Sequence, residues 1–429
     1  MIYDYPQNVR DLFYTDSIKK SLTINLSEEP IDFSTEPKSS FEVYKTLSDE
    51  DIIVESMEFS EGLSEETRFT LGSFSLPQLS VSRVFEQKDY TGCACTCILS
   101  IYNEDGTTIA ANIMLLSGYV ISDEASEDRK TRKLTCLDAL GQFFEKEIFA
   151  LTDTNNTTIE KKSITILNFI NAISQRTAIQ FWVGTYDSDG RLEPNELNSA
   201  TFPELTYEVD FTNFNASYTI KHFLQDLAEA TGRFLVFHKQ NSVSINNSYL
   251  GIDIILISPT LDMRLLYPRD TLYPRGHATS TGSIFPLWGE YRENAPIVHK
   301  MDWYINAIIS TEPVKPYKYF SAFVGNKQVF EIINGGVKST LEYKISNNTL
   351  LERANWDEVS YITSRASYLT GDLNFFTIKL DMPYLAYLQP GDFIMFESEW
   401  GTYVLPIINV QVRGINSLRA TVSCELATT

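Results

Sequence analysis

Three of the five cysteines stand close together and are the first residues whose spacing could do chemistry. Cys93, Cys95 and Cys97 alternate with small residues, and in a β-strand this period of two puts all three thiols on one face. Zinc sites usually combine two Cys-x(2–4)-Cys pairs, and the sequence has no second pair. We therefore interpret the three as buried small residues of a strand, with metal binding as the alternative. The other two cysteines lie in apolar patterns and are interpreted as structural: Cys136 and Cys424.

The acidic segment Asp187 to Glu196 resembles the later part of a calcium-binding loop. Oxygen ligands would stand at loop positions 3, 5, 9 and 12, with Gly190 at position 6. Position 1 is Thr185 instead of the usual Asp, and Pro194 lies within the loop. A polar turn is therefore our interpretation, with an ion site as the alternative.

Residue patterns of common enzymes are missing from the sequence. It contains neither a Gly-x-Ser-x-Gly elbow nor a phosphate-binding glycine-rich loop. A glycosidase pair needs only two carboxylates about 5–10 Å apart in space, so the sequence leaves that reaction open. We predict a protein that is not an enzyme, with no catalytic, cofactor-binding or metal-binding residues and no cofactor. The four histidines are not spaced as metal ligands and are interpreted as surface or packing residues: His222, His238, His277 and His299.

Composition narrows the class of protein further. The chain has 429 residues, which predicts two to four domains, and it carries a net charge of −21. So large an acidic excess argues against stable nucleic-acid binding, which needs clustered cations. Aromatic residues reach 13%, which favours β-structure and extended contact surfaces. Apolar runs of about 18 residues and a secretory leader are both missing, so we expect no membrane span and folding in a cytoplasm.

The elements that must position these residues are mostly strands in the N-terminal part. The first 35 residues are polar and mixed, and we expect an arm or an edge element there. From Phe41 to Leu137 short alternating segments recur about every 8–12 residues, which is typical of a barrel or sandwich. Asp105-Gly106 predicts a hairpin between two of these strands. The segment Asp138 to Phe149 predicts a short helix.

Two amphipathic helices, each followed by a strand, are predicted in the middle of the chain. They span Ser163 to Thr177 and Tyr218 to Thr231, with Ser163 and Ser217 as N-caps and Gly232 as the stop of the second. Each helix has an apolar stripe predicted to be buried. The stripes are Ile164, Leu167, Ile170 and Ile173, and then Ile220, Phe223, Leu224 and Leu227.

The two helix–strand units align with each other. Pairing Ser163 with Ser217 also pairs Thr165 with Thr219. This alignment indicates an internal repeat, with chance similarity between amphipathic helices as the alternative.

The rest of the chain returns to strands after a long loop. Pro259 to Pro296 is rich in Pro and Gly and is typical of a binding element or a subunit contact. Trp356 to Tyr368 predicts a helix, and Phe375 to Ser423 predicts strands and turns. Pro390-Gly391 predicts a tight turn, since Pro fixes φ and Gly accepts a positive φ.

An ordered series of short motifs runs through this pattern. In the C-terminal half, YKISNNTLL (343–351) precedes a helix, and MPYLAYLQPGDF (382–393) precedes the closing strands. In the N-terminal half stand SMEFSEGL (56–63), FTLGSF (69–74), GYVIS (118–122) and KLTCLDAL (133–140). Their order and spacing over about residues 40–425 resemble hub and tail-associated proteins of bacteriophage tails. Asn348-Thr-Leu replaces the Asn-Pro-Leu that is usual in that family.

The resemblance implies a β-rich α+β, multidomain fold with two tube-protein-like β-barrels plus smaller α+β domains. It implies a homotrimer at the tail tip or baseplate of a virion, made in the host bacterial cytoplasm. The partners it implies are the tail tube or distal tail protein, the tape-measure protein, and a tail fibre or spike. Because the chain stops at Thr429, right after the hub-like strands, we expect no fused lysin.

Four domains are predicted on this basis. They are an N-terminal β-barrel domain with an arm (1–150), an α+β domain with the two helix–strand units (151–260), a loop-rich β domain (261–335) and a C-terminal β domain that completes a barrel (336–429). The predicted function is a structural hub that joins the tail tube to the fibre or spike and lets DNA pass. The alternative is a tail protein that binds or cleaves cell-wall carbohydrate, which the aromatic and acidic residues favour.

Overall fold

The computed structural model describes most of the chain. The described residues are 9, 12, 13, 17–37, 39–64, 72–151, 159–177, 179–186, 192–200, 202–231, 233–239, 252–257, 299, 300, 307–314, 319–324, 327–333, 342–353, 374–385, 390, 391, 393–398 and 401–428.

The N-terminal part consists of strands up to Asp138. The strands are β1 Lys20–Pro30, β2 Lys45–Leu47, β3 Glu58–Gly62, β4 Ser75–Val84, β5 Cys93–Tyr102, β6 Ile109–Ala125 and β7 Thr131–Asp138, with a 3-10 turn at Val54–Ser56.

The middle part mixes short strands with helices. Its elements are α1 Leu140–Phe144, a 3-10 turn at Ile148–Ala150, β8 Ser163–Thr165, α2 Ile166–Thr177, β9 Phe181–Tyr186, β10 Leu192–Glu196, a 3-10 turn at Pro203–Thr206, β11 Glu208–Asp210, α3 Ile220–Thr231, β12 Phe234–Lys239 and β13 Ile252–Ile257.

The C-terminal part is again β-rich. It contains β14 His299–Lys300, β15 Ala307–Val314, β16 Tyr319–Val324, β17 Lys327–Ile333, β18 Glu342–Ile345, α4 Thr349–Arg353, β19 Asn374–Pro383, β20 Phe393–Ser398, β21 Gly401–Arg413 and β22 Arg419–Thr428.

One large sheet joins strands from both ends of the chain. Its order among the described strands is β15-β19-β22-β21-β3-β4-β7-β6-β5-β1-β2, with β20 paired to β21 and β14 paired to β20. The two ends meet where β3 pairs antiparallel with β21, for example Phe59 with Val412. In strands of both halves every second side chain points into one continuous apolar core. The protein is β-rich, as predicted.

The expectation of an N-terminal arm is wrong for residues 20–30. This segment is strand β1, which lies between β2 and β5 in the large sheet. Leu22, Ile24 and Leu26 alternate with polar residues and are fully buried. Burial of these three side chains on one face stabilises the strand, although the segment as a whole is polar. The expectation of an arm considered only the polar composition.

A second core lies among the helices of the middle part. The four-stranded sheet β10-β9-β13-β12 and helices α1, α2 and α3 enclose it. Aromatic rings dominate it: Phe211 lies 5.3 Å from Phe169 and 5.4 Å from Phe214, centroid to centroid, in edge-on geometry. Such pairs add to the stabilisation that burial of the rings supplies. Leu350 of α4 also belongs to this core, so the C-terminal part docks here.

Both predicted helix caps differ from the structure by two residues. Ser163 lies in strand β8, and the Oγ1 of Thr165 accepts the N–H of Asn168 at 3.3 Å. Likewise the Oγ1 of Thr219, not Ser217, accepts the N–H of His222 at 3.2 Å. Threonine caps as serine does, and β8 requires extended backbone at 163–165 in order to pair with β11. The two capping threonines are the pair that the sequence alignment of the units matched.

The first predicted stripe shifts with its helix. Leu167 is 37% exposed, whereas Ile166, Phe169, Ile170 and Ile173 are buried. A helix that begins at 166 turns these four toward the core. The second predicted stripe is confirmed, since all four of its residues are buried.

Both predicted turns are confirmed. Gly106 has a φ of 66° between β5 and β6, and Gly391 has a φ of 95° before β20. The predicted loop 259–296, the predicted helix 356–368 and the stop at Gly232 lie outside the described residues.

Candidate functional site

The thiols of β5 and β7 form a cluster in the core of the large sheet. Cys93, Cys95 and Cys97 lie in β5, as the spacing predicts, and are buried. The Sγ atoms of Cys95, Cys97 and Cys136 all lie within 4.8 Å of one another. Sequence spacing missed Cys136 because it lies on β7, and the sheet order β5-β6-β7 is needed to see the proximity.

The surroundings of these thiols shift their pKa values in opposite directions. Burial raises the pKa of the Cys95 thiol well above its usual value. Hydrogen bonds with the Cys136 and Cys95 side chains lower the pKa of the Cys97 thiol. Cys93 stands apart, since its Sγ lies 3.8 Å from the carbonyl oxygen of Glu28, to which it donates.

A buried ionic cluster stands on strands β4, β6 and β7. The guanidinium of Arg83 donates to Asp123 through Nε at 3.2 Å and through Nη2 at 2.6 Å. Nε of Arg132 donates to the same carboxylate at 3.1 Å, and the backbone N–H of Tyr90 donates to it at 3.0 Å. Arg83 also donates to the carbonyl of Lys88 at 2.7 Å. The cluster therefore fixes the connection between β4 and β5 on the strands beneath it.

The C-terminal part is attached to helix α3 by a polar clamp. Nδ2 of Asn348 donates to the carbonyl of Asp226 at 2.9 Å and to Oε2 of Glu229 at 3.0 Å. The Asn348 Oδ1 accepts the N–H of Leu351 at 3.1 Å, so the same side chain caps α4. The hydroxyl of Tyr218 and the N–H of Thr349 both donate to the Asp226 carboxylate, at 2.9 and 3.0 Å. These bonds give Asn348 of the YKISNNTLL motif a physical role that spacing alone did not show.

Burial raises the pKa of both clamp carboxyls. The pKa of Asp226 rises to about 6 and that of Glu229 to about 7. Both values approach the range in which a catalytic acid works. The clamp, however, already uses these groups to hold Asn348 and Thr349, and they are half-buried against α4.

Carboxylates also line an open cavity of about 440 Å³ beside β8 and β11. Its walls are Ser163, Glu208, Asp210, Glu352 and Arg353. Ser163 donates to Glu208 at 3.0 Å, and Nη1 of Arg353 donates to the carbonyl of Asp210 at 2.9 Å. The side chain of Thr212 hydrogen-bonds to Asp210 and lowers the pKa of that carboxyl. Asp210 is therefore ionised at neutral pH, which suits electrostatic binding of a polar ligand better than proton donation.

A second, polar groove of about 240 Å³ lies where the two ends of the chain meet. It runs across β4, β3 and β21, where Gln78, Ser60 and Gln411 stand opposite one another. Nε of Arg413 lies 3.8 Å from Oε1 of Glu58 on the same surface. The outer face of the junction is thus polar, while its inner face is the shared apolar core.

The three histidines within the described part of the chain lie on separate elements. His222 is exposed, stacks on Tyr218 at 6.5 Å between ring centroids and has Nδ1 3.1 Å from Thr219 Oγ1. His238 and His299 lie in strands β12 and β14, far apart in the topology, and His277 lies outside the described residues.

Residues 192–196 of the acidic segment form strand β10, which pairs antiparallel with β9. Thr185 pairs with Glu193 and Tyr186 with Leu192 across β9 and β10. Residues 187–191, which hold two of the four candidate ligands, Asp187 and Asp189, lie outside the described residues. The polar-turn interpretation and its ion-binding alternative both stay predictions.

Comparisons with known proteins put this geometry in context. No family model matches the chain, and no curated protein matches it. Among solved structures, a tail protein from Neisseria meningitidis matches with a TM-score of 0.47 at 9% identity, over 95% of this chain and 96% of its own. A 43 kDa tail protein of prophage MuSo2 from Shewanella oneidensis gives 0.45 at 10%, over 94% and 97%. Prophage tail protein gp18 from Listeria monocytogenes gives 0.44 at 9%, over 95% and 94%.

Each of these three matches extends over nearly the whole chain, at a TM-score below 0.5. Among the described helices, none is long and apolar enough to cross a membrane.

Proposed function

We propose that this chain is a structural hub at the distal end of a phage tail. In this role it forms a trimeric ring, joins the tail tube to the baseplate fibre or spike, and lets DNA pass on ejection. The observation that carries the proposal is the single sheet built from both ends of the chain. The order and spacing of the sequence motifs support it.

The sheet has the form that a ring subunit needs. Among the described residues, β2 pairs only with β1 and β15 only with β19, so each end of the sheet has an edge strand. Strand edges with unpaired backbone groups are ready to pair with another chain. If the β2 edge of one copy meets the β15 edge of the next, the contact is head-to-tail, and such a contact generates a ring when the rotation between successive copies closes.

The proposal includes two barrels. In it, strands β1–β7 belong to the N-terminal barrel and strands β15 and β19–β22 to the C-terminal barrel, with the helical core attached between them. Domain boundaries near 150, 260 and 335 belong to this proposal. The partners in it are the tail tube or distal tail protein, the tape-measure protein and the fibre or spike, in a virion assembled in the bacterial cytoplasm.

The acidic surface fits passage of DNA. With a net charge of −21, a ring lumen lined by this chain repels phosphates and prevents stable DNA binding. Neutralising carboxylates of the lumen should therefore slow DNA ejection, and unchanged ejection kinetics would contradict this part of the proposal.

The ring is tested by mass photometry of the full chain. We expect a species with three times the 48.8 kDa mass of one chain. This trimer should bind purified tail-tube protein and increase in mass. Tyr44 is 52% exposed and directly precedes the edge strand β2, so Tyr44→Ala should weaken association at least about 10-fold, or 1.4 kcal/mol. The matched control is Ile109→Ala, which is 46% exposed at the start of the interior strand β6 and should leave the trimer intact.

The carbohydrate alternative has its own observation, the acidic cavity beside β8 and β11. Release of reducing sugar from host cell walls by a stable monomer, abolished in Asp210→Asn and Glu208→Gln, would replace the hub proposal. We expect no sugar release.

A further inference from the structure

We propose that Cys95, Cys97 and Cys136 form a three-thiolate site for one soft d10 metal ion. The site lies in the core of the large sheet, and the hub role neither requires nor supplies it. The argument rests on the convergence of three sulfur atoms from two strands that are not neighbours in the sheet.

The distances suit coordination. The three Sγ atoms lie within 4.8 Å of one another. Three ligands around one ion at metal–sulfur bonds of about 2.3 Å stand about 4 Å apart, so small side-chain rotations complete the site. Side chains two apart on one strand, as in Cys95 and Cys97, are about 6.6 Å apart along the backbone. Their thiols therefore turn toward each other rather than simply fill the space above their own backbone.

Strand β6, which lies between β5 and β7, allows the thiol of Cys136 to come close to the thiols of β5. Gly118 of β6 stands opposite Cys95 in the register. A Cβ at this glycine would lie 1.9 Å from the carbonyl oxygen of Leu137 and 2.7 Å from the N of Ala139. The end of β7 thus bends closely over β6, on the side of β7 where Cys136 pairs with Val120. A larger residue at 118 would hold β7 away from β5.

The ligand set selects the class of ion. Thiolates favour soft ions such as Cu(I) and Zn(II), whereas Mg²⁺ and Ca²⁺ prefer oxygen. Among the described residues, the group contains three sulfur ligands and no fourth histidine, cysteine or carboxylate. Three sulfurs complete a trigonal d10 ion, and a tetrahedral ion would need a further ligand. Binding releases the thiol protons, so affinity rises with pH.

The ion must enter during folding. All three cysteines are 0% exposed within the apolar core. The test therefore refolds the full chain anaerobically from denaturant with one equivalent of Cu(I) or, in a separate arm, of Zn(II), against a chromophoric chelator. We expect the folded chain to withhold one ion, and X-ray absorption of that sample to show three sulfur neighbours at about 2.3 Å.

Matched variants assign the ligands. Cys136→Ser should lower the retained metal at least about 10-fold, while Cys93→Ser should retain it. Cys93 is the control because it is buried on the same strand but donates to the carbonyl of Glu28 instead. Circular dichroism establishes that each variant has refolded.

If Cys136→Ser does not fold, the number of sulfur neighbours that X-ray absorption gives for the wild-type chain tests whether three thiolates bind the ion. Equal metal retention in the two variants, fewer than three sulfur neighbours, or no retention of either ion overturns the proposal. Trimer formation in the metal-free chain is measured in parallel, so failure of this site leaves the hub proposal intact.

Discussion

The large sheet and the helical region bury polar groups in two different ways. In the sheet, Asp123 is fully enclosed and is matched by two guanidiniums and a backbone N–H. In the helical region, Asp226 and Glu229 are half-buried and are matched by Asn348 and Thr349, which belong to the C-terminal part. The two sets of polar contacts therefore have different structural roles. The first holds one sheet together, and the second attaches two parts of the chain that are more than 100 residues apart.

Removal of the central charge of the sheet should have the largest effect on stability. Asp123→Ala leaves two buried guanidiniums without their carboxylate, and loss of one partner of a buried ion pair costs about 3–5 kcal/mol. Urea denaturation followed by circular dichroism measures the free energy of unfolding. The matched control is Glu124→Ala at the exposed neighbouring position, which should change stability by less than about 0.5 kcal/mol. A loss below 1 kcal/mol for Asp123→Ala would mean that the ionic cluster is not the main support of this part of the sheet.

Gly118→Ala tests the close packing of the same strands. The new Cβ would collide with the backbone of β7, and we expect a loss of about 2–3 kcal/mol, as in overpacked cores. Gly106→Ala is the comparison, since its Cβ would meet open space and only its φ of 66° disfavours alanine. That change should cost about 1 kcal/mol. Both are read from the same denaturation curves, and an equal effect at the two glycines would refute the packing argument.

Asn348→Ala breaks the clamp on the helical side. It removes the cap of α4 and leaves the Asp226 carbonyl and the Glu229 carboxylate without their shared donor. We expect a loss of about 2 kcal/mol, with faster hydrogen exchange confined to α3 and α4. Asn347→Gly is the control, because Asn347 is exposed with a φ of 64° that glycine adopts freely. Exchange that accelerates equally across the large sheet would show that the clamp is not local.

The smallest expected effect is the pH dependence of the clamp. The pKa values of Asp226 and Glu229 are raised to about 6 and about 7 from ordinary values of 3.8 and 4.5. The folded protein therefore binds these protons more tightly, and their stabilisation is full below about pH 4 and is lost as pH rises to 7. The two carboxyls are faced by four polar residues: Tyr218, His222, Asn348 and Thr349. Despite these neighbours, the pKa values of both carboxyls stay above their ordinary values.

The measurement is the difference in unfolding free energy between pH 4 and pH 7. Asp226→Asn with Glu229→Gln should reduce that difference by an amount on the order of 1 kcal/mol. Asp105→Asn is the control of opposite sign, because hydrogen bonds with Thr108 lower the pKa of Asp105 to about 2. Its contribution is present above about pH 4 and is lost on acidification. Identical pH profiles for wild type and the double variant would show that the clamp carboxyls do not titrate in this range.

Local patterns were reliable wherever one segment determines its own structure. The hairpin at Gly106, the turn at Gly391 and the buried stripe of α3 were all predictable, since turn chemistry and period act over a few residues. The sequence places the caps of α2 and α3 two residues before their positions in the structure. At α2 the pairing of β8 with β11 keeps residues 163–165 extended, and at α3 an antiparallel bridge between Glu147 and Thr219 keeps the backbone extended up to Thr219. The N-terminal arm was wrong for a similar reason, since the partners of β1 lie far away in the sequence.

Residue types and their spacing are sufficient to predict that the chain is acidic, β-rich and built from short strands with two capped helices. The same spacing predicts that Cys95 and Cys97 share one face of a strand. The proximity of Cys136 to them, the contact of Asn348 with α3 and the pairing of β3 with β21 are visible in the folded chain alone. The physical reason is that strand pairing and clamp contacts are made between residues distant in the chain, and a period of two or 3.6 carries no information about which distant segment is the partner.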